Sequence, residues 1–335
     1  MTMSRTRRPC SDPTAMGPDD RAMPATTPRS ISTTDLIALL YLGAVWGGAF
    51  LFFRIAAPEV GAVWAAEIRI ALGAAILGLV AGRRTFAAVR RRPLQFVIVG
   101  ATFSAIPFSL IAVAALTLPA GLGALLNAST PLFTAVLGVA VLGQRLTPRL
   151  VAGLGIGLAA VFVLVGWSPV GFGPELLVAT AAALAAALSY AIAGTLVKRT
   201  LPDVAGMELA TGQLALGAIV LLPFAIASGG PGMPSLGGAA SLLVLGVVST
   251  ALAWPVFFRV MSRTTPTVAS TVTFIVPAFA ILWGGLVLAE PVGPGLVAGF
   301  GLVLVSLVLI VGLRLPLPAL PGRRPVRRVE VAAPS

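Results

Sequence analysis

From residue 36 onwards, long apolar segments alternate with short polar segments along the chain. Each apolar segment has about 17–25 residues, the length at which an α-helix crosses about 30 Å of hydrocarbon. The pattern therefore predicts an all-α integral membrane protein with ten transmembrane helices. These helices are predicted near residues 36–56, 61–81, 94–116, 119–142, 150–167, 174–197, 206–227, 239–259, 266–289 and 295–313.

One stretch of this pattern occurs twice. Residues 131–155 align without a gap with residues 277–301 at an offset of 146, and the alignment pairs two prolines and three glycines. Nearer the amino terminus an offset of 144 fits best, and it pairs Arg69 with Gln213. A repeat at fixed spacing indicates a duplicated unit. Because each copy has five predicted helices, an odd number, we expect the copies to lie in the membrane as inverted repeats.

Basic residues give an independent test of the ten-helix prediction, because cytoplasmic loops of membrane proteins are enriched in Lys and Arg. With a cytoplasmic amino terminus, 21 of the 23 Lys and Arg residues fall in predicted cytoplasmic segments. We therefore predict a disordered cytoplasmic arm (1–33), two five-helix repeats (34–167 and 173–314) and a basic cytoplasmic tail (315–335). Abundant Ala, Gly and Arg with scarce Lys suggest a bacterial chain, and hence the bacterial cytoplasmic (inner) membrane.

Composition narrows the function further. The chain is 58% hydrophobic and only 10% charged, whereas soluble domains carry about 25% charged residues. It has no His and a single cysteine, Cys10, which excludes a His-based metal site, a His general base and a disulfide within the chain. We therefore predict no enzyme activity, no cofactor and no metal. The net charge of +12 does not predict nucleic-acid binding, because the arginines lie in short loops between predicted helices.

Two charged residues lie within the second predicted helix. Arg69 is about eight residues from its outer end, where a charge costs at least about 2.5–3.5 kcal/mol, so it should face a wet cavity or a partner. It could bind a carboxylate or phosphate of a solute, or it could pin helices together through backbone carbonyls or Gln213. Glu67 could carry a coupling proton, or it could be a polar residue at the outer mouth.

Four further pairs of residues occupy matching positions of the two copies and are expected to meet near the midplane of the membrane. Aromatic walls with a few hydroxyls and amides would form a cavity for a zwitterionic or aromatic metabolite. The alternative is that these side chains only pack and hydrogen-bond between helices. The pairs are Trp46 with Tyr190, Ser104 with Thr250, Phe108 with Trp254, and Asn127 with Thr273.

A set of residues spread along the chain carries a resemblance to a known family: Trp46-Gly47, Arg69, Pro131, the segment LGQRLT (142–147), the segment TALA (250–253), Pro277 and Glu290. On these residues, positions 36–313 resemble the ten-helix EamA-type permeases of the drug/metabolite transporter (DMT) superfamily. The family usually has a Glu where Gln144 stands, and here only the second copy keeps it, as Glu290. The resemblance implies a transporter, commonly an exporter, of small polar or amphipathic metabolites.

The leading hypothesis is a secondary transporter, an exporter of an amino acid-like or drug-like solute that works by alternating access. Its partners would be that small-molecule solute and the lipid bilayer, with protons as a candidate coupling ion and no nucleic acid. Two alternatives stay open: an uncoupled facilitator or channel for such solutes, and a structural membrane protein that transports nothing. The sequence argues against an intramembrane enzyme that acts on lipid, because it has no nucleophile-base pair and no carboxylate cluster.

Overall fold

The computed structural model describes residues 32–142, 147–168, 170–263 and 272–311, and the regular secondary structure of these residues is entirely helical. The first half of the described chain contains α1 (Thr33–Val60), α2 (Ala62–Val80), α3 (Arg83–Arg91), α4 (Pro93–Gly100, Ala101–Ala105 and Ile106–Ala115), α5 (Ala120–Asn127 and Thr130–Leu142) and α6 (Pro148–Gly166). The second half contains α7 (Pro174–Thr200), α8 (Gly206–Ala227), α9 (Leu236–Leu243, Val244–Leu252 and Ala253–Arg263), α10 (Val272–Leu288) and α11 (Pro294–Val311).

Most of these helices are long and apolar enough to cross a membrane. Eight helices of the described chain meet both conditions, and α10 and α11 contribute two shorter apolar stretches, Ile275–Leu288 and Pro294–Ile310. Large apolar side chains cover the outside of the bundle, as Phe162 (70% exposed) and Leu286 (68% exposed) show. So large an apolar surface is unfavourable in water and favourable in lipid. The all-α membrane class predicted from the sequence is therefore confirmed.

The helices begin and end close to the predicted boundaries, with two differences. Arg83–Arg91 form the short helix α3, which the sequence pattern did not predict. Helix α5 is broken between Asn127 and Thr130, because Pro131 has no N–H to bond the Asn127 carbonyl and the Thr130 hydroxyl donates to it instead, at 2.8 Å. The predicted arm up to residue 31, the predicted tail, Gln144 and the predicted start of the ninth helix at residue 266 lie outside the described residues.

Helices of the first half pack chiefly against helices of the second half. Helix α1 packs along α10, α2 against α8 and the middle of α9, α4 against α7 and α8, and α6 along α11. Small residues make these contacts close. A Cβ atom at Gly100 would lie 2.6 Å from the Gln213 carbonyl oxygen, and one at Gly73 would lie 2.5 Å from Thr250 Cγ2. Larger residues at either position would push the two halves apart.

Helices α4 and α9 each contain a π-helical segment, Ala101–Ala105 in α4 and Val244–Leu252 in α9. Pro107 follows the first segment and Pro255 follows the second, and a proline removes a donor from the turn before it. The two segments overlap at the repeat offset of 146, so the same irregularity occurs at matching places in both halves. Such wide turns leave carbonyl groups that side chains from neighbouring helices can bond.

A polar cluster joins α1, the α4–α5 turn and the α10–α11 loop. Arg54 Nη1 donates to the carbonyl oxygens of Ala115 (3.1 Å) and Leu118 (3.0 Å), and its Nε lies 2.8 Å from Glu290 Oε1. Glu290 Oε2 accepts a hydrogen bond from the Ala120 N–H, the first of α5, at 2.8 Å. Burial raises the pKa of Glu290, whereas the Ala120 N–H and the Arg54 charge act to lower it. The cluster thus caps α5 with a side chain from the other half.

Candidate functional site

A cavity of about 460 Å³ lies between the two halves of the bundle. This volume lies within the range of sites that hold small organic molecules. The lining is mostly apolar and aromatic, with a few polar groups. Six of the residues predicted from the sequence line it, namely Trp46, Arg69, Phe108, Asn127, Tyr190 and Trp254.

Six aromatic rings form a continuous wall of this cavity. Neighbouring ring centroids along the wall are 5.4–6.4 Å apart, mostly at edge-on or tilted angles. In order, the rings belong to Phe257, Trp46, Trp254, Phe103, Tyr190 and Phe108.

Phe103 and Phe257 belong to this wall but were not predicted. Phe257 lies three residues after Trp254, so helical spacing alone could have identified it. Phe103 shares the cavity face with Phe108, five residues later, because the π-helical segment adds a residue to the turn between them. Ordinary helical periodicity places these two residues on different faces.

Arg69 is the one charged residue among the described residues that line the cavity, and it is 6% exposed. Its Nε donates to Thr250 Oγ1 at 3.0 Å, and its Cζ lies 3.9 Å from the centroid of the Phe108 ring and 5.2 Å from that of Phe53. Within the described chain, no carboxylate oxygen lies within 4.0 Å of the guanidinium. Among the described residues, this buried cation therefore lies against an aromatic face and has no acidic partner.

Three residues that were predicted to border the cavity lie behind its wall instead: Ser104, Gln213 and Thr250. Thr250 Oγ1 donates to the Leu245 carbonyl at 2.9 Å, so a lone pair of the same oxygen accepts from Arg69. Ser104 Oγ lies 2.5 Å from Gln213 Oε1 in an equivalent buried contact. Gln213 Nε2 is buried and has no hydrogen-bond partner among the described residues.

Backbone carbonyls of the π-helical segments fix two more side chains. Trp46 Nε1 donates to the Ser249 carbonyl at 3.2 Å, and Ser189 Oγ donates to the Thr102 carbonyl at 2.7 Å. The first bond orients the indole of Trp46 in the aromatic wall, and Ser249 itself borders the cavity. Sequence patterns could not identify either carbonyl, because the irregular turns leave these groups accessible to side chains.

The break in α5 supplies a polar point on the cavity. Asn127 borders the cavity at the end of the first α5 segment, and Thr130 borders it at the start of the second. Asn127 Oδ1 is buried and has no partner within the described part of the chain. A free acceptor of this kind can take a hydrogen bond from an amine or hydroxyl of a bound molecule.

Glu67 stands apart from the cavity lining, and the prediction for Thr273 falls on a side chain outside the described part of the structure. Glu67 is 5% exposed, does not border the cavity, and has a buried Oε2 without a hydrogen-bond partner among the described residues. No Lys or Arg nitrogen of the described chain lies within 4.0 Å of its carboxylate. Thr273 belongs to α10, but its side chain lies outside the described part of the structure.

Comparison with known proteins gives a family. The EamA-like transporter family matches two segments of this chain, residues 34–166 and 177–312. An uncharacterized transporter of Bacillus subtilis, YvbV, is 27% identical over 282 residues, which cover 83% of this chain and 92% of that protein. A probable terminal-alkyne amino-acid exporter of Streptantibioticus cattleyicolor is 25% identical over 276 residues, which cover 82% of this chain and 92% of that protein.

A solved crystal structure has the same fold. It superposes with a TM-score of 0.59 at 19% sequence identity and covers 84% of this chain and 96% of the other. The relatives are named as transporters, not as enzymes. Together with the apolar helices and the two family segments, which span most of the sequence, these matches confirm the predicted resemblance: the chain is a multi-pass membrane protein and a member of the EamA-like transporter family.

Proposed function

We propose that the protein is a secondary transporter that exports a small amphipathic solute carrying one carboxylate, such as an amino acid with an apolar side chain. Arg69 carries this proposal. It is a buried cation at the edge of a 460 Å³ cavity, and the described residues hold no carboxylate within ion-pair distance of it. A carboxylate of the solute would supply the missing charge through paired N–H···O bonds.

The remaining lining suits the rest of such a molecule. The aromatic wall offers an apolar surface for a side chain of the solute. Asn127 Oδ1 offers an acceptor for an ammonium group. A solute that is purely cationic would meet Arg69 without an acid to balance it. The amino-acid exporter named among the relatives supports the same solute class.

Alternating access between two inverted five-helix repeats is the proposed mechanism, in a ten-helix chain whose termini face the cytoplasm of a bacterium. The matching contacts support this mechanism, since equivalent positions of the two copies meet equivalent partners across the bundle. The equivalent contacts are Arg69 with Thr250 and Gln213 with Ser104, then Trp46 with Trp254 and Tyr190 with Phe108. Opposed repeats around a midplane site are how many secondary transporters open to one side at a time.

Transport into inside-out vesicles tests the solute class. Three labelled probes share one aromatic group: L-phenylalanine, 3-phenylpropionate, which lacks the amine, and 2-phenylethylamine, which lacks the carboxylate. We expect uptake of the first two and little of the third. Arg69→Gln should lower uptake at least about tenfold, since one charged hydrogen bond is worth about 1.5–3 kcal/mol.

Arg84→Gln is the matched control, because it removes the same charge from an exposed position of α3 that does not border the cavity. Uptake of 2-phenylethylamine at the rate of L-phenylalanine, or an Arg69→Gln variant as active as Arg84→Gln, would refute the proposal. Addition of a proton ionophore separates coupled export from the facilitator alternative, which predicts unchanged flux along the solute gradient.

A further inference from the structure

Two equivalent positions of the duplicated chain carry different side chains, one that borders the cavity and one that lies behind its wall. Arg69 on α2 and Gln213 on α8 are paired by the repeat offset of 144. Each bonds a hydroxyl in the π-helical segment of the opposite half, Arg69 to Thr250 and Gln213 to Ser104. The Arg69–Thr250 pair therefore bears a positive charge, and the Gln213–Ser104 pair is neutral.

The ring nearest to Arg69 also has an aromatic counterpart in the other half. The Arg69 guanidinium lies over the ring of Phe108 on α4, and the residue that the repeat pairs with Phe108 is Trp254 on α9. Trp254 borders the cavity, and α8 packs against the segment of α9 that carries it. An arginine at position 213 would thus find an aromatic ring and a hydroxyl in the places where Arg69 finds them.

Gln213 also has an unsatisfied group. Its Oε1 accepts from Ser104, whereas its Nε2 is buried without a partner in the described chain, and the residue is 2% exposed. Burying a polar group without a partner costs stability. Among the described residues, the Ser104 hydroxyl is the one group that bonds this amide.

We propose that Gln213 is a specificity-determining residue that keeps the transport site singly positive. A neutral side chain here restricts the site to solutes with one carboxylate and fixes the carboxylate end toward α2 and α9. A second arginine would place two cations at one cavity whose described lining holds no acidic side chain. Such a site should bind a dicarboxylate, because each carboxylate would neutralise one guanidinium. This inference rests on the proposed function for its biological meaning, but its test does not require transport.

The test measures binding to purified protein in detergent, through the rise in melting temperature with ligand concentration. The two probes are 3-phenylpropionate, a monocarboxylate, and phenylsuccinate, a dicarboxylate with the same ring. The proteins are the wild type, Gln213→Arg, Arg69→Gln and the double variant Arg69→Gln with Gln213→Arg. Ser228→Arg adds a charge at the exposed end of the same helix and serves as the control.

We expect the wild type to prefer 3-phenylpropionate and Gln213→Arg to shift the ratio of the two dissociation constants at least tenfold toward phenylsuccinate. Ser228→Arg should leave this ratio unchanged. The double variant keeps the net charge of the wild type and should regain the 3-phenylpropionate binding that Arg69→Gln loses. If the single Gln213→Arg variant does not fold, 3-phenylpropionate binding by the double variant still tests the proposal.

The inference is overturned if Gln213→Arg gains no phenylsuccinate binding and the exchange restores nothing. That result would leave export of a monocarboxylate by the wild type intact. Conversely, a wild type that moves none of the transport probes while Gln213→Arg acquires dicarboxylate binding would refute the proposed function and support the assignment of Gln213.

Discussion

Arg69 shows how far a single residue can be interpreted from the sequence. A charge inside an apolar segment is expensive, so its burial beside a cavity could be predicted. Its partner could not, because the π-helical turn brings Thr250 to it by an irregularity that periodicity does not reveal. The same limit explains why Ser104 and Gln213 were expected on the cavity surface and lie behind it.

Thr250 should act by orienting Arg69. Replacement by Val removes the acceptor of the Nε–H bond, and we expect 3-phenylpropionate to bind about tenfold more weakly, in line with a charged hydrogen bond of about 1.5–3 kcal/mol. Thr250→Ser keeps the hydroxyl and should retain wild-type affinity. Ser104→Ala breaks the equivalent bond on the neutral side, so it should not reproduce the loss. Equal losses in Thr250→Val and Ser104→Ala would show a general disturbance of the helices instead.

Asn127 should distinguish solutes by their amine. Asn127→Leu removes the free Oδ1 acceptor, and binding of L-phenylalanine should weaken by about threefold to tenfold, since a hydrogen bond contributes about 0.5–1.5 kcal/mol. Binding of 3-phenylpropionate, which has no amine, should not weaken. The comparison uses melting-temperature titrations of one variant with both probes. A parallel loss for both would mean that Asn127 shapes the cavity and does not contact the amine.

At the scale of the helices, the apolar pattern predicted almost every boundary, because length and hydrophobicity are strongly constrained in a bilayer. The exceptions have local causes. Helix α5 breaks where Pro131 has no N–H for the Asn127 carbonyl and the Thr130 hydroxyl bonds that carbonyl instead. Helix α3 forms from a segment too basic to resemble a membrane helix. Average hydrophobicity along the chain reveals neither exception, because the first depends on one hydrogen bond and the second is a helix of basic sequence.

Glu290 is expected to stabilise α5 from a distance. Glu290→Ala removes the acceptor for the Ala120 N–H and the anion beside Arg54, whereas Glu290→Gln keeps an acceptor and loses only the charge. Loss of a helix cap costs about 0.5–2 kcal/mol, so the alanine variant should melt at a lower temperature than the glutamine variant. Thermal unfolding in detergent measures the difference. If the two variants melt together, the charge and not the cap is what stabilises the turn.

The whole molecule is organised by contacts between its halves, and a duplicated sequence alone could suggest this but not its geometry. Six of the residues that the repeat offsets selected line one cavity. The offsets could not say which member of a pair would reach the cavity and which would remain behind it. That outcome depends on side-chain length and on the widened turns of α4 and α9.

The proposed ten-helix topology predicts which connections face outward. In a Cys10→Ser background, a membrane-impermeant maleimide should label Phe172→Cys, between α6 and α7, on intact cells. It should label Arg84→Cys, in α3, only after the membrane is permeabilised. Both variants should react fully in permeabilised cells, which controls for reactivity. Labelling of both positions on intact cells would contradict the odd number of helices between them.

The Arg69–Thr250 bond also has a consequence for how the chain is made. The two residues are 181 positions apart, so α2 leaves the ribosome long before α9 exists. During that interval the Thr250 hydroxyl is not yet available to the guanidinium, which must stay beside water, lipid headgroups or the insertion machinery. Chains cut short before α9 should therefore insert α2 poorly, and quality-control proteases should remove them sooner than fragments whose second helix bears glutamine at that place.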